Sequence, residues 1–367
     1  MKQSYQQKIE TIMRSNQAKG GLAFVLFMLS MLYVFIMKIR AFFYSCGIFR
    51  TQKLPCKVIS IGNITLGGVG KTPMTIYLAQ MIHNLGFRVA ILSRGYKGKS
   101  ENTCGIVSDG KQIIMDAASA GDEPFLMAEK LPQVPIVVGK NRYECGQLAI
   151  HKFSPQVILL DDAFQHLRLH RDINIVLMDA TEPLGNNYVV PRGLLREPVS
   201  QLNRGQMFLF TRARARNENV LEKLSPYLTG KPVFSCQHMP DKLIQTDDAG
   251  RLVFFEPASL SNQRIFAFSG IANNDDFLKI LNELHYQVAD SLPFKDHHVY
   301  SDAELYKIAE SAKNSGAQCL VTTEKDYVKI YSRIQWPLPL FALRIQISFG
   351  DDTPHFETII KEWLTNQ

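Results

Sequence analysis

The sequence has no C-x-x-C pair among its six cysteines (Cys46, Cys56, Cys104, Cys145, Cys236, Cys319). That argues against a zinc ribbon or a disulfide framework and fits a reducing compartment. It has no internal repeat and no low-complexity tract, so its 367 residues are read as globular sequence, too long for one core and suited to about two domains. Acidic residues are in short supply: 34 Asp and Glu face 41 Lys and Arg, for a net charge of +7 and a pI near 9.0. The excess favours an anionic partner, whether nucleotide, nucleic acid or acidic membrane, and composition does not choose among them. The guanine-reading N-K-x-D pattern is also missing. Thr322-Thr323-Glu324-Lys325-Asp326 puts its Lys directly before the Asp instead of two places before it.

Residues 20–37 (GGLAFVLFMLSMLYVFIM) lack any charge, and a run of 18 reaches the lower limit for spanning a bilayer. No A-x-A-like cleavage site follows, and Tyr44-Ser45-Cys46 is a poor lipoprotein signal. A buried core helix is one alternative; a membrane anchor over about residues 20–43, spanning or interfacial, is preferred. Basic residues flank it on both sides (Lys8, Arg14, Lys19; Lys38, Arg40, Arg50), so charge gives no orientation and suits a helix gripping anionic lipid.

What is present starts with residues 58–72, VISIGNITLGGVGKT. A β-branched run leads into Gly67-Gly68-Val69-Gly70-Lys71-Thr72, and a helix-compatible segment follows from Pro73. These are the parts of a phosphate cradle: loop amides and a helix N-terminus for phosphate oxygens, Lys71 for the β/γ-phosphates and the Thr72 hydroxyl for Mg²⁺. The glycine that the G-x-x-x-x-G-K-[ST] pattern wants at position 65 is replaced by Thr65.

Further strands are predicted at 88–92, 134–138, 156–160, 172–178 and 207–210, with helices between them. This βαβ series makes a mostly parallel sheet. Residues 213–262, with four prolines, read as a linker region before a second α/β pattern. The expected organisation is an N-terminal segment (1–50), a phosphate-loop domain (51–225) and a smaller α/β domain (226–367). Ser93-Arg94-Gly95-Tyr96 follows one strand as a loop with a cation and an aromatic. Asp122-Glu123 opens a helix, where the pair complements the helix dipole or serves as metal ligand and base. Asp161-Asp162 ends an apolar strand, where phosphate-loop enzymes keep a Mg²⁺ carboxylate. Residues 185–198, carrying Arg192, Arg196 and Glu197, read as a functional loop, and Asp296-His297-His298 as a proton-handling pair or a solvated helix entrance. The paired histidines have no third ligand at metal-binding spacing.

Taken together, these segments resemble one family, the tetraacyldisaccharide 4′-kinases of Gram-negative bacteria. The match runs in order from about 58 to 329 through Gly62-Asn63-Ile64-Thr65, Gly67-Gly68, Gly70-Lys71-Thr72-Pro73, Ser93-Arg94-Gly95-Tyr96, Gly121-Asp122-Glu123-Pro124, Asp161-Asp162, Gln165-His166, Pro191 and Gly193, Arg196-Glu197, Asp296-His297 and Thr323-Glu324-Lys325-Asp326. Thr65 is a trait of the family's loop; Arg192 and Ala163-Phe164 depart from its usual pattern. The resemblance implies a P-loop NTPase-like α/β fold and ATP- and Mg²⁺-dependent phosphorylation of the 4′-hydroxyl of a tetraacylated glucosamine disaccharide 1-phosphate. The setting it implies is the cytoplasmic face of the inner membrane, with membrane lipid and no nucleic acid as partner. It assigns catalysis to Asp122, His297 and Lys71, and nucleotide contact to Asn63, Thr65, Gly67, Gly68, Val69, Gly70, Lys71, Thr72 and Pro73. Acceptor contact falls to Arg94, Tyr96, Gln165, His166 and Arg196, and metal contact to Thr72, Glu123, Asp161 and Asp162. A membrane-tethered ATPase working as a partner-coupled switch is the alternative.

Overall fold

The computed structural model describes residues 2–212, 218–247 and 249–365. Its strands are β1 (Lys57–Asn63), β2 (Val89–Ser93), β3 (Gly105–Asp109), β4 (Pro135–Val138), β5 (Val157–Asp161), β6 (Ile173–Asp179) and β7 (Met207–Thr211), followed by β8 (Val233–Thr246), β9 (Leu252–Phe255), β10 (Arg264–Ser269), β11 (Gln287–Pro293), β12 (Cys319–Thr323) and β13 (Leu340–Ser348). They run in the order β11-β10-β12-β13-β8-β7-β6-β1-β5-β2-β4-β3, with β9 on β8. Pairing is parallel except at β3–β4, β13–β8 and β8–β9. The central strands β1, β2, β5 and β7 are buried almost throughout, as continuous Val/Ile/Leu/Phe runs covered by helices on both faces must be.

Residues 213–262 were expected to be a linker, and the structure corrects this. A helix (Glu218–Leu228) and the 14-residue β8 occupy much of the segment. β8 pairs in parallel with β7 at one end and antiparallel with β13 at the other, joining the two halves of the sheet. The final helix, Thr353–Thr365, returns to the first half, where Phe356, Ile360 and Leu364 pack in the same core as Ile59, Met74 and Leu78.

Cysteine also departs from expectation. Cys104, just before β3, and Cys145, in the helix Arg142–Phe153, form one disulfide across 41 residues with Cα atoms 5.4 Å apart. It is a single bridge, since Cys46, Cys56, Cys236 and Cys319 are free.

The uncharged run forms the helix Gly21–Ser45, long and apolar enough to cross a membrane. One face lies on the body of the protein: Ser30 Oγ donates to Val189 O at 2.8 Å, Tyr33 OH to Arg196 O at 3.3 Å and Arg40 to Gln165 O at 3.0 Å. The other face exposes Phe24, Leu29, Leu32, Phe35 and Ile36.

Candidate active site

β1 delivers the chain to the glycine loop and the helix Lys71–Asn84 carries it away. Gly70 adopts φ +81°, and a Cβ there would collide with the His238 ring. Glycine is therefore required twice over, by backbone conformation and by space. Gly62 is required by close approach, because a Cβ would lie 2.6 Å from that of Phe164. Thr65 bridges in antiparallel fashion to Leu195 of the 185–198 loop, and Leu66 N donates to Leu194 O at 2.6 Å. The position where a generic loop has glycine is thus held by a neighbouring segment in a conformation open to threonine. Asn63 is fully buried, donates to Thr65 O at 2.7 Å and accepts from Lys71 Nζ at 3.3 Å. It shapes the loop and aims the lysine.

β5 ends beside this loop. Asp161 is buried and accepts from Thr75 Oγ1 at 3.0 Å and Ser93 Oγ at 3.3 Å. Burial, and then the like charges of Glu123 and Asp162, push its carboxyl up to about 7. Asp162, at φ +44°, takes two bonds from Arg196 (2.7 and 3.1 Å) and lies 3.7 Å from Lys71 Nζ. Burial tends to raise the Asp162 carboxyl, but Lys71 and Arg196 outweigh it and hold the group below its ordinary value. Gln165 accepts from Arg196 at 3.3 Å and donates to Asn63 O at 2.8 Å, tying the same loop to the strand end.

The second half of the chain reaches over this edge. His297, itself at φ +57°, places Nδ1 3.4 Å from Asp122 Oδ2. Lys325 Nζ lies 3.2 Å from His297 Nε2 and 2.9 Å from Asp296. An ammonium only donates, so Nε2 is the acceptor and the ring proton sits on Nδ1, directed at Asp122. Lys329 Nζ is 2.9 Å from the same Oδ2. Burial alone would raise the Asp122 carboxyl, but the His297 hydrogen bond and the Lys329 charge bring it down to about 2. Both donors converge on Oδ2, and among the described residues none bonds Oδ1.

Lys71, Arg94, Tyr96, Glu123, Asp161, Asp162, Gln165, His166, Arg196 and His297 line one cleft of about 1110 Å³. Arg94 is half exposed and paired with Glu101 at 2.7 Å, and the Tyr96 ring meets the edge of His297 at 5.7 Å. On the other side of the glycine loop, an apolar pocket of about 220 Å³ is bounded by Val69, Thr72, Pro73, Ile271, Phe277 and Leu343. Two members of the 185–198 loop face elsewhere. Arg192 donates to the carbonyls of Ile12 (2.8 Å) and Ser15 (3.1 Å), closing the first helix, and buried Glu197 pairs with Arg204.

Sequence reasoning missed Lys329, Arg212 and His238. The first had a signal, since Lys325 and Lys329 are four apart and share a face of the helix Glu324–Ile330. Arg212 binds Gly68 O at 2.6 Å and pairs with Asp179 and Asp276, linking the loop to both halves. His238 lies within the segment read as linker. Its imidazole is pushed down to about 4, by burial first and then by Arg212. Between about pH 6.5 and 4 the unfolded chain binds a proton here that the folded chain refuses, so stability present above pH 6.5 is lost as pH falls. His238→Gln should accordingly show a flatter decline of Tm over that range than wild type; parallel curves would remove His238 from the account.

A glycine loop with its lysine, a strand-end carboxylate pair and a carboxylate–imidazole pair in one neighbourhood define a phosphate-loop phosphotransferase. The family model for "Tetraacyldisaccharide-1-P 4'-kinase" matches residues 22–365. Tetraacyldisaccharide 4'-kinase of Desulfatibacillum aliphaticivorans is 41% identical over 369 residues, covering 98% of each chain, and that of Syntrophus aciditrophicus is 39% identical, covering 94% of each. The crystal structure of Aquifex aeolicus LpxK in complex with ATP superposes with a TM-score of 0.73 at 32% identity, covering 94% of this chain and all of that one. The chain belongs to the tetraacyldisaccharide-1-P 4'-kinase family. It is a kinase with the family's α/β fold, an ATP-using transferase of lipid A biosynthesis.

Proposed function

We infer that the chain transfers the γ-phosphoryl group of ATP to the 4′-hydroxyl of a tetraacyldisaccharide 1-phosphate through Asp122. The observation that carries this reading is the arrangement of Asp122 itself. His297 and Lys329 fix one carboxylate oxygen, the other is left without a donor, and the neighbouring Glu123 and His297 line the cleft that holds Lys71.

The loop amides and Lys71 bind the β/γ-phosphates, and the apolar pocket beyond the loop suits the nucleoside. A carboxylate held at about 2 is too weak a base to ionise a sugar hydroxyl beforehand. Asp122 Oδ1 instead orients the hydroxyl and accepts its proton as the oxygen–phosphorus bond forms, which a loose phosphoryl-transfer transition state permits. Arg94, Tyr96, Gln165, His166 and Arg196 line the same cleft and are the candidates to hold the sugar.

The residues fit a divalent cation. Asp161 is buried among like charges that a cation would relieve, and Thr72, the last residue of the glycine loop, borders a pocket that Glu123 also lines. Asp161, Thr72 and Glu123 would hold Mg²⁺, with Asp162 instead engaged in fixing Arg196. Such an ion would supply neutralisation of phosphate charge.

The helix Gly21–Ser45 fits an interfacial position better than a spanning one, because its inner face is bonded to the body of the protein along its length. Use of ATP and of an acyl-chain-bearing acceptor suits the cytoplasmic face of the inner membrane. Leu29, Leu32 and Ile36 form an exposed stripe. Changing all three to Ser should weaken partitioning to anionic vesicles by about 100-fold or more, measured by co-sedimentation. Undiminished binding would place the membrane contact elsewhere.

The rival, a partner-coupled ATPase, is separated by ADP release. Turnover should be low with ATP alone and rise steeply on adding the lipid acceptor. Equal rates with and without acceptor would favour the switch.

A further inference from the structure

The helix Asp122–Lys130, from the first half of the chain, and the helix Glu324–Ile330, from the second, lie antiparallel, and an ion pair closes each end. At one end Lys329 meets Asp122 at 2.9 Å, within the active site. At the other, Lys130 Nζ meets Glu324 Oε2 at 2.5 Å. This second pair stands a helix length from Asp122, about 12 Å at the helical rise of about 1.5 Å per residue. Its two side chains are each only 9% exposed, unlike an ordinary surface ion pair. Burial pushes the Lys130 ammonium down and the Glu324 carboxyl up, and in each case the partner's charge is the chief influence pulling it back. Arg344 of β13 lies 3.9 Å from Glu324 and 3.1 Å from Asp241 of β8, anchoring the pair to the strands between the two halves of the sheet.

Two charges withdrawn from water add little to stability, so a buried pair is better explained by the one arrangement it fixes. Tyr327 and Ile330 root the helix Glu324–Ile330 in the core of the second half, so what Lys130–Glu324 fixes is that half against the helix bearing Asp122. Lys325 and Lys329 share a face of their helix, and Glu324 projects about 100° around it from Lys325. The Asp122–Lys329 contact alone would be a pivot. A second contact at the far end, from another side of the helix, removes it. Lys329 then stays on Asp122, and Lys325 stays on His297, whose Nε2 it meets at 3.2 Å.

We propose that Lys130 and Glu324 are positioning residues for phosphoryl transfer, their ion pair holding the two helices in register so that Lys329 and Lys325 reach Asp122 and His297. The proposal rests on Asp122 serving as the group that receives the hydroxyl proton. Both residues also border the apolar pocket beyond the glycine loop, where a direct contact to the nucleotide would show in the KM for ATP. Action through Lys329 shows in kcat instead.

The full chain is assayed in neutral-detergent micelles with ATP and the tetraacyl disaccharide 1-phosphate. Replacing one partner would strand a buried charge, so the main variant is the double Lys130→Met/Glu324→Met, which removes both charges and keeps apolar bulk. Glu324→Gln, which retains the shape and an acceptor for Lys130, is the milder second variant and carries the same test where the double variant lacks a cooperative thermal transition. The double variant should lose about tenfold in kcat, the scale of a small misplacement of reacting groups, with both KM values within about twofold of wild type; Glu324→Gln should fall between. Lys329→Met should also lose about tenfold, and adding either variant to it should cost no more than about twofold further, because all act through one contact. Losses that multiply would make the pair a general support of the fold and overturn the proposal. So would an unchanged kcat, or a rise confined to the KM for ATP, which would give the pair to the nucleotide. Asp122→Ala is run beside them: a wild-type rate there overturns the reading of Asp122 itself, whereas its inactivity beside unaffected pair variants overturns only the positioning role.

Discussion

Asp122→Ala should lower kcat by about 10³-fold and leave ATP affinity within about twofold of wild type. The split follows from position. Asp122 opens the helix Asp122–Lys130 and is bonded to His297 and Lys329, and among the described residues none of its side-chain hydrogen bonds or ion pairs goes to the glycine loop. Removing it takes away the group that orients the hydroxyl and receives its proton, an interaction made fully only in the transition state. The largely buried Lys329 then loses one of its two carboxylates but keeps Asp326, 3.7 Å away, so the fold should tolerate the change. Single-turnover rates with saturating acceptor, together with calorimetric ATP binding, measure both quantities. A rate near wild type would remove Asp122 from the chemistry. His297→Ala should follow in the same direction by a smaller factor, because Lys329 still holds the carboxylate.

Lys71→Ala should have the other large effect, a fall of about 10³-fold in kcat/KM, and here ATP affinity should drop as well. Lys71 is held between Asn63 and Asp162 with little solvent exposure, aimed across the loop. Its ammonium binds phosphate charge in the ground state and more strongly as charge builds on the bridging oxygen. Asp162 remains tied to Arg196, so the strand end should survive the substitution. An unchanged Kd for ATP in this variant would mean that the cradle is formed by backbone amides alone. The contrast between the two variants, one with a kcat effect only and one with both, distinguishes acceptor activation from donor binding.

Much of this arrangement is legible from residue patterns, and where it is not the reason is physical. The parallel strands β1, β2, β5 and β7 are buried on both faces and so appear as continuous apolar runs bounded by glycine or aspartate. β8 is obscured because it changes partners midway. Pro240 sits in it opposite Ile345, next to a register shift in β13, and a proline in a run ordinarily argues against a strand. β3 and the Cys104–Cys145 bridge depend on a segment folding back onto β4, which spacing does not reveal.

In the site, the glycine loop and the Asp161-Asp162 strand end are local features and read as such. Asp122 and His297 are 175 residues apart, and only family resemblance joins them in the sequence. Lys329 carried only the weak signal of its spacing from Lys325, and its importance comes from the Asp122 carboxylate it faces.

The central claim is that this chain places phosphate on the 4′-oxygen of its lipid acceptor. The direct measurement is incubation with [γ-³²P]ATP and tetraacyl disaccharide 1-phosphate, followed by location of the label in the recovered lipid. The expected product is a bisphosphorylated disaccharide with all label in a monoester on the distal sugar. Unlabelled lipid from folded, ATP-binding enzyme, or label found in a diphosphate at the anomeric position, would contradict it.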